Sequence, residues 1–354
     1  MIRVAAVAAL LALVAVTAAR ESAGGSECDR YAAAAGRDAW PGSSTRPYRT
    51  VRKLVGALRP GEVGCLRGSF REDVTIRKSG ITLASDPDRG RATLRGRLFV
   101  ADTANDVTVR GLLLDGRPVE RPEEEQLPSP TIMGDRAWFV DNEVTNANTG
   151  ICFVLGSGEF GTARGTVIER SRVHHCGRLP PTNHDHGIYV AIARDTVIRD
   201  NVIHANADRG VQLYPDADRT LVEHNVIDGN GTGVLFSGDA GGASSANVVR
   251  DNVITNSTVR YDVTAFWEQP VGSGNVVEGN CVWGGKLGEV EDIEGFSTRG
   301  NLVADPRYAD RTAGNFRLAE GSPCAGKGPR PRPPAKMPPK TPLEALRDLF
   351  RRDR

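Results

Sequence analysis

The chain has 354 residues, room for one large or two ordinary domains, and its 45 basic and 44 acidic side chains leave a formal net charge of +1. That balance provides no electrostatic footprint for nucleic acid. Glycine is abundant at 40 residues while aromatics make up only 6%, which favours turns and stacked aliphatic side chains over an aromatic core.

The first residues, "MIRVAAVAALLALVAVTAARES", place Arg3 before a short Ala/Val/Leu run and small residues at 17–19. This is the pattern of a secretory signal peptide, so residues 1–19 are expected to be a leader cut near Ala19. The apolar run is short for a membrane span, and no other stretch approaches one. The mature chain is therefore expected to be secreted or held at the cell envelope. Six cysteines follow: Cys28, Cys65, Cys152, Cys176, Cys281 and Cys324. An even count in an exported chain favours disulfides, and the spacing suggests three consecutive pairs. Closing the loop from Cys28 to Cys65 would contribute about 4 kcal/mol by loop entropy. With no C-x-x-C, little favours a metal–thiolate site.

Internal repeats occupy the middle of the chain. "VTVRGLLLDG" (107–116), "TVIERSRVHHC" (166–176), "TVIRDNVIHAN" (196–206), "TLVEHNVIDGN" (220–230), "NVVRDNVITNS" (247–257) and "NVVEGNCVWGG" (275–285) share two apolar residues, two polar, Asn, then two apolar. "WFVDNEVTNAN" (138–148) and "FSTRGNLVAD" (296–305) fit more loosely. Registered on the Asn position, Leu112, Asn142, Ser171, Asn201, Asn225, Asn252, Asn280 and Asn301 are spaced by 30, 29, 30, 24, 27, 28 and 21 residues. A second set lies between them: "TGICFVLG" (149–156), "HGIYVAIA" (186–193), "RGVQLYPD" (209–216) and "TGVLFSGD" (232–239). Each repeat thus holds at least two short strands between Asn- and Gly-rich turns, without helical periodicity. Such a chain is expected to coil on itself, successive coils sitting about 4.8 Å apart. Ile188, Val211 and Val234 would form one inward column. Val202, Val226 and Val253 lie at another matched position, as do Ile203, Ile227 and Ile254. Asn206 and Asn230 are expected to take left-handed turns whose amides bond from coil to coil.

These repeats resemble the right-handed parallel β-helix family, the pectate-lyase-like superfamily, over roughly residues 70–305. The resemblance implies an all-β solenoid. The stretch "GRDAWPGSSTRPYRTVRKLVGALRPGEVGCLRGSF" is similar to the opening segment of exported members, in which a helix caps the coil. "NLVADPRYADRTAGNFRLAEGSPCAGKG" resembles their final coil. The expected organisation is a leader, an N-terminal segment and cap at 20–69, a β-helix at 70–326, and a Pro-rich linker with a short basic helix at 327–354. The family spans lyases, hydrolases, epimerases and adhesins, so the resemblance leaves the chemistry open.

The segment "NHDHGIYV" (183–190) is the candidate site. With Ile188 and Val190 inward, Tyr189 points outward, together with Cys152, Gln212 and Leu235 on neighbouring coils and Ala191, Tyr214 and Ser237 further on. Stacking is expected to gather Asp185, Asp208, Tyr189, Gln212 and Tyr214 on one exposed face, with His184, His186 and Arg209 at its edge. The insertion "GRLPPTN" (177–183) would wall it. In "TAFWEQP", Trp267 and Glu268 extend the face. A ladder of polar and aromatic groups suits an extended acidic glycan. Removing the C5 proton of a uronic acid needs a base, for which His184, His186 or Tyr189 is the right type, and a cation such as Arg209 to neutralise the carboxylate. Asp185 would orient a histidine or hold calcium. This is β-elimination or C5 epimerisation. An inverting hydrolase would need two carboxylates, Asp185 with Asp208 or Asp216, but the chain has no Asp-Asp pair of the polygalacturonase kind. The pectate-lyase calcium motifs are also not evident. The bland alternative is that His184 and His186 serve turn backbone groups, that Tyr214 and Trp267 are surface packing, that Asp216 and Asp218 are turn residues, and that His174, His175, His204 and His224 are structural. A non-catalytic glycan-binding or envelope-surface protein would use the same face without a reacting pair. A monomer is expected.

Overall fold

The computed structural model describes residues 27–119 and 127–331; the leader at 1–19 and the basic helix at 343–354 lie outside them. Each coil visits three sheets. Val197–Arg199 lies in the first, Val202–His204 in the second and Arg209–Asp218 in the third, before the chain re-enters the first at Leu221–Glu223. The sheets hold 11, 10 and 10 strands. Coil-to-coil pairing within them is parallel, apart from the short hairpin strand Gly242–Ala243. The one helix among the described residues is Val51–Ala57. Thr50 caps it by accepting from Lys53 N at 3.1 Å, and the Glu72 carboxylate accepts from Val51 N and Arg52 N. Its Val51, Leu54 and Val55 are buried against the first coils.

The inward columns fall in the expected register. Ile188 pairs with Val211, Val211 with Val234, and Val234 with Val263, all fully buried. Ile203, Ile227 and Ile254 pair in the second sheet and join the same core. Each such side chain contributes roughly 1.5–3 kcal/mol of burial. Val202, Val226 and Val253 also pair but face the other way. They pack against Phe316 and Leu318 of a C-terminal segment that folds back over the second sheet. Lys327 reaches Asp251 at 2.6 Å and Arg330 reaches Asp200 at 2.7 Å, so the chain runs back along the coils it has just built.

The corners between sheets are held by buried side-chain amides. Asn225 Oδ1 accepts from Asn201 N at 2.9 Å, while its own N–H donates to Asn252 Oδ1 at 2.9 Å and its Nδ2 to Ile198 O at 2.8 Å. The ladder runs from Asn142 through Ser171, Asn201, Asn225, Asn252 and Asn280 to Asn301. A corner breaks the strand ladder, and these amides take the backbone groups it strands. Asn206 and Asn230 also bond coil to coil, at 2.8 Å. Their expected left-handed backbone is instead found one residue earlier, at Ala205 (φ 53°) and Gly229 (φ 62°). The preceding residue makes the turn, which leaves the asparagine free to aim its amide inward.

The disulfides are Cys28–Cys65, Cys152–Cys176 and Cys281–Cys324, the consecutive pairs expected. The first ties the N-terminal strand Arg30–Ala33 to its neighbour in the first sheet, Val63–Arg67. The third pins the returning C-terminal segment. The second corrects the predicted outer row: Val154, not Cys152, pairs with Tyr189. Cys152 lies two residues earlier and fully buried, bonded at the corner where Cys176 takes the coil-to-coil position of an asparagine and donates its N–H to Asn206 Oδ1.

Asn225→Ala strands the Asn201 N–H and the Ile198 carbonyl in the interior and is expected to cost about 3 kcal/mol, read from the urea midpoint with the far-ultraviolet dichroism unchanged. Asp262 is fully buried, and burial pushes its carboxyl up to about 7 against the donors Ser257 and Trp283. Its folded value lies above its unfolded one, so its contribution is complete below about pH 4 and lost as the pH climbs towards 7. Asp262→Asn should therefore gain on the wild type over that window in denaturation midpoints; a constant difference would refute the assignment.

Candidate functional site

The segment "NHDHGIYV" leads into the third-sheet strand Ile188–Arg194, and glycine at 187 and at 210 lets neighbouring coils approach closely there. A Cβ on Gly187 would stand 2.8 Å from the Asn206 amide nitrogen and 2.9 Å from Gly210 O; on Gly210 it would meet Ile227 at 2.7 Å. These positions accept only glycine, so the residues on either side of each bend are delivered to the outer face in fixed register. Tyr189 pairs with Gln212, Gln212 with Leu235 and Leu235 with Thr264, while Arg209 pairs with Thr232.

The structure brings His186, Tyr189, Arg209, Gln212 and Tyr214 together on adjacent coils. The His186 ring meets Tyr189 edge-on at 5.4 Å between centroids, and Tyr189 stacks on Tyr214 at 6.3 Å. Tyr214 donates to Asp239 Oδ2 at 2.6 Å. The face is less open than expected: His186, Arg209 and Gln212 are 3%, 6% and 8% exposed. Three of their polar atoms, His186 Nδ1, Arg209 Nε and Gln212 Oε1, have no hydrogen-bond partner. Burial, with the charges of Arg209 and His184, holds the His186 imidazole well below its usual value. Burial, with Tyr214 and Asp239 adding, pushes the Tyr189 phenol well up. The hydrogen bond to Asp239, followed by burial, pushes Tyr214 up to about 12. At neutral pH the imidazole is neutral and both phenols are protonated.

Asp185 and Asp208 lie elsewhere than predicted. Both are buried and hold down the insertion at 177–183. Asp185 accepts from Arg178 Nε at 2.6 Å, Arg178 Nη2 at 3.1 Å and Thr182 Oγ1 at 3.2 Å. Asp208 accepts from Asp185 N at 2.7 Å and Asn183 N at 2.9 Å. Burial opposes the Asp185 carboxylate, but Arg178 outweighs it and keeps the group below the usual carboxylate range. Asp185 thus orients no histidine, and its oxygens are committed to donors, so a calcium ion does not fit there. Asp216 is ion-paired to Arg194 at 2.7 Å, which leaves no free carboxylate pair among the three predicted for a hydrolase. Among the described residues no three His, Cys, Asp or Glu side chains are gathered as a metal ion would need.

His184 is exposed just after the insertion. Ala191 and Ser237, expected outside, are buried, and Ser237 donates to Phe266 O at 2.5 Å. Trp267 is half-buried, donates to Glu294 O at 2.9 Å and lies against Gly295; Glu268 is exposed beside it. Phe266, at 54% exposure, is the free aromatic that sequence reasoning passed over. Asp239 was also missed, although it closes "TGVLFSGD", the Gly-led segment of the next coil. Asn183 was read as part of the wall, yet it contacts Arg209 directly: Nη1 donates to its carbonyl at 2.7 Å and Nη2 to its side-chain oxygen. A cavity of about 610 Å³ lies away from this face, over the second sheet, bounded by Arg172, Val226, Phe316 and Arg330. His204 packs between His174 and Phe316.

Three parallel sheets wound round one aliphatic core, with an outer face of stacked polar and aromatic rows, define a parallel β-helix protein. Residues 132–300 match the family model described as a right handed beta helix region, in agreement with the parallel coil of the structure. Its fold is similar to a rhamnogalacturonan lyase (TM-score 0.55, 12% identity, covering 90% of this chain and 97% of that one). It is also similar to the pectate lyase Pel9A (TM-score 0.54, 14% identity, 87% and 93%). A third similar structure is a lacto-N-biosidase from Eubacterium ramulus (TM-score 0.52, 10% identity, 77% and 67%). Comparison with curated proteins gives no significant match. No helix among the described residues is long and apolar enough to cross a membrane.

Asp208→Ala removes the acceptor for the backbone amides of Asn183, at the end of the insertion, and of Asp185 just after it. It should raise the rate of tryptic cleavage at Arg178 severalfold while leaving the rest of the coil protected. Unchanged cleavage would mean that other contacts hold the insertion.

Proposed function

We propose that the protein is exported and acts on an acidic polysaccharide by removing the C5 proton of a uronate, leading to β-elimination or epimerisation. The observation that carries this reading is the group of buried, unpartnered polar atoms on His186, Arg209 and Gln212 beside the Tyr189 phenol. A neutral imidazole takes the C5 proton, and the Arg209 guanidinium neutralises the carboxylate and steadies the carbanion. Tyr189, held protonated, supplies the opposing proton. Delivered to the glycosidic oxygen as the C4–O bond breaks, that proton completes elimination and leaves a C4–C5 double bond. Returned to the other face of C5, it completes epimerisation. The stacked Tyr189 and Tyr214 rings offer apolar faces to the sugars. The three disulfides fit an oxidising compartment, and the fold likeness to lyases agrees with a glycan substrate.

A panel of uronate polymers, followed by ultraviolet absorbance for unsaturated ends and by deuterium uptake at C5, distinguishes the two outcomes. His186→Ala should lower the rate roughly 100- to 10,000-fold; full activity in that variant would sink the assignment. Because His186 is held below its usual value and Tyr189 above, activity should stay level between about pH 6 and 8. A rate that changes across that window would point to another base. Exposed Phe266 favours a second reading, a binder without turnover, which predicts saturable polymer binding with no product.

A further inference from the structure

On the outer face, Arg209 is already occupied. Its two terminal nitrogens each hold an oxygen of one residue, the Asn183 carbonyl and the Asn183 side-chain oxygen. Two oxygens held by two guanidinium nitrogens is the arrangement in which arginine takes a carboxylate. The third nitrogen, Nε, is buried and unpartnered, as are His186 Nδ1 and Gln212 Oε1 nearby. The residue supplying the oxygens sits on a segment that is otherwise open: residues 178–184 are all exposed. That segment is tied down by Arg178, Thr182 and Asn183 through Asp185 and Asp208. Asn183 itself has φ 74°, a backbone that asparagine and glycine tolerate best.

We propose that Asn183 is a built-in stand-in for a ligand carboxylate: it fills the anion seat of Arg209, and an acidic sugar binds by displacing it and lifting the insertion at 177–183. This rests on the reading of the face as a uronate site and adds to it a specificity device. A neutral sugar cannot match the two oxygens that Asn183 already supplies, whereas a carboxylate brings the same two oxygens with a full negative charge. The exchange also accounts for the low exposure of His186 and Arg209, since the closed insertion excludes water from both until a competent ligand arrives. Its cost is a lowered apparent affinity, by the fraction of molecules in which the seat is free.

Two variants on this exposed loop test the idea with opposite signs. Asn183→Gly keeps the backbone conformation and removes the side-chain oxygen, so uronate binding should tighten by about tenfold. Asn183→Asp puts a permanent carboxylate in the seat, so uronate binding should weaken by about tenfold or more. The measurement is isothermal titration of galacturonate, glucuronate and mannuronate, monosaccharides with no glycosidic bond to cleave, with galactose and glucose as neutral controls that should not respond to position 183. If both variants bind uronates as the wild type does, or shift in the same direction, Asn183 is not a competitor and the inference fails. Arg209→Gln separates this from the site reading. Loss of uronate binding there upholds the site even if the Asn183 inference falls, whereas unchanged binding, or no uronate binding by any form including Asn183→Gly, overturns both.

Discussion

A parallel coil must turn three times in every rung without burying backbone groups that have no partner. The buried asparagines between the first and second sheets make that possible. Asn201, Asn225, Asn252 and Asn280 each accept an amide proton from the rung on one side and donate to the rung on the other. A neighbour shifted by one residue would break these bonds along the whole stack and turn every inward aliphatic side chain out. The ladder and the columns of Ile and Val therefore enforce the same register, and the geometry of the outer face follows from it.

The outer face is a product of that register. His186 and Arg209 are 23 positions apart and Tyr189 and Tyr214 are 25 positions apart, yet each pair becomes a neighbour because one turn of the coil separates them. Proximity then alters the chemistry of the groups. Burial depresses the His186 imidazole and raises the Tyr189 phenol, so a neutral imidazole and a protonated phenol are set side by side by the same exclusion of water. The insertion at 177–183 deepens that exclusion, because the carboxylates expected on the open face are turned under it to hold it down.

Covalent bonds guard the regions where the repeat gives way to something else. One disulfide fastens the N-terminal strand, one closes the corner before the insertion, and one fixes the C-terminal segment against the second sheet. Without that last segment Val226 and Val253 would lie open to water; Phe316 covers them instead.

The coil was legible in the sequence because its determinants are local and repeated. The Asn positions, the Gly-led strands and the alternation around Ile188, Val211 and Val234 each state which way a side chain faces, and repetition states which residues align. Cysteine spacing suggested the consecutive pairs that the structure shows, but the choice among the possible connectivities was made by the fold. What only the tertiary structure decided concerns side chains at bends and insertions, where alternation no longer dictates direction. Asp185 and Asp208 turned inward to Arg178 and to loop amides, Cys152 moved off the outer row, and the returning C-terminal segment chose which face of the second sheet to cover. The contact of Asn183 with Arg209 belongs to the same class. It depends on where a seven-residue insertion comes to rest, and that is set by ion pairs and hydrogen bonds across rungs, which no period in the sequence records.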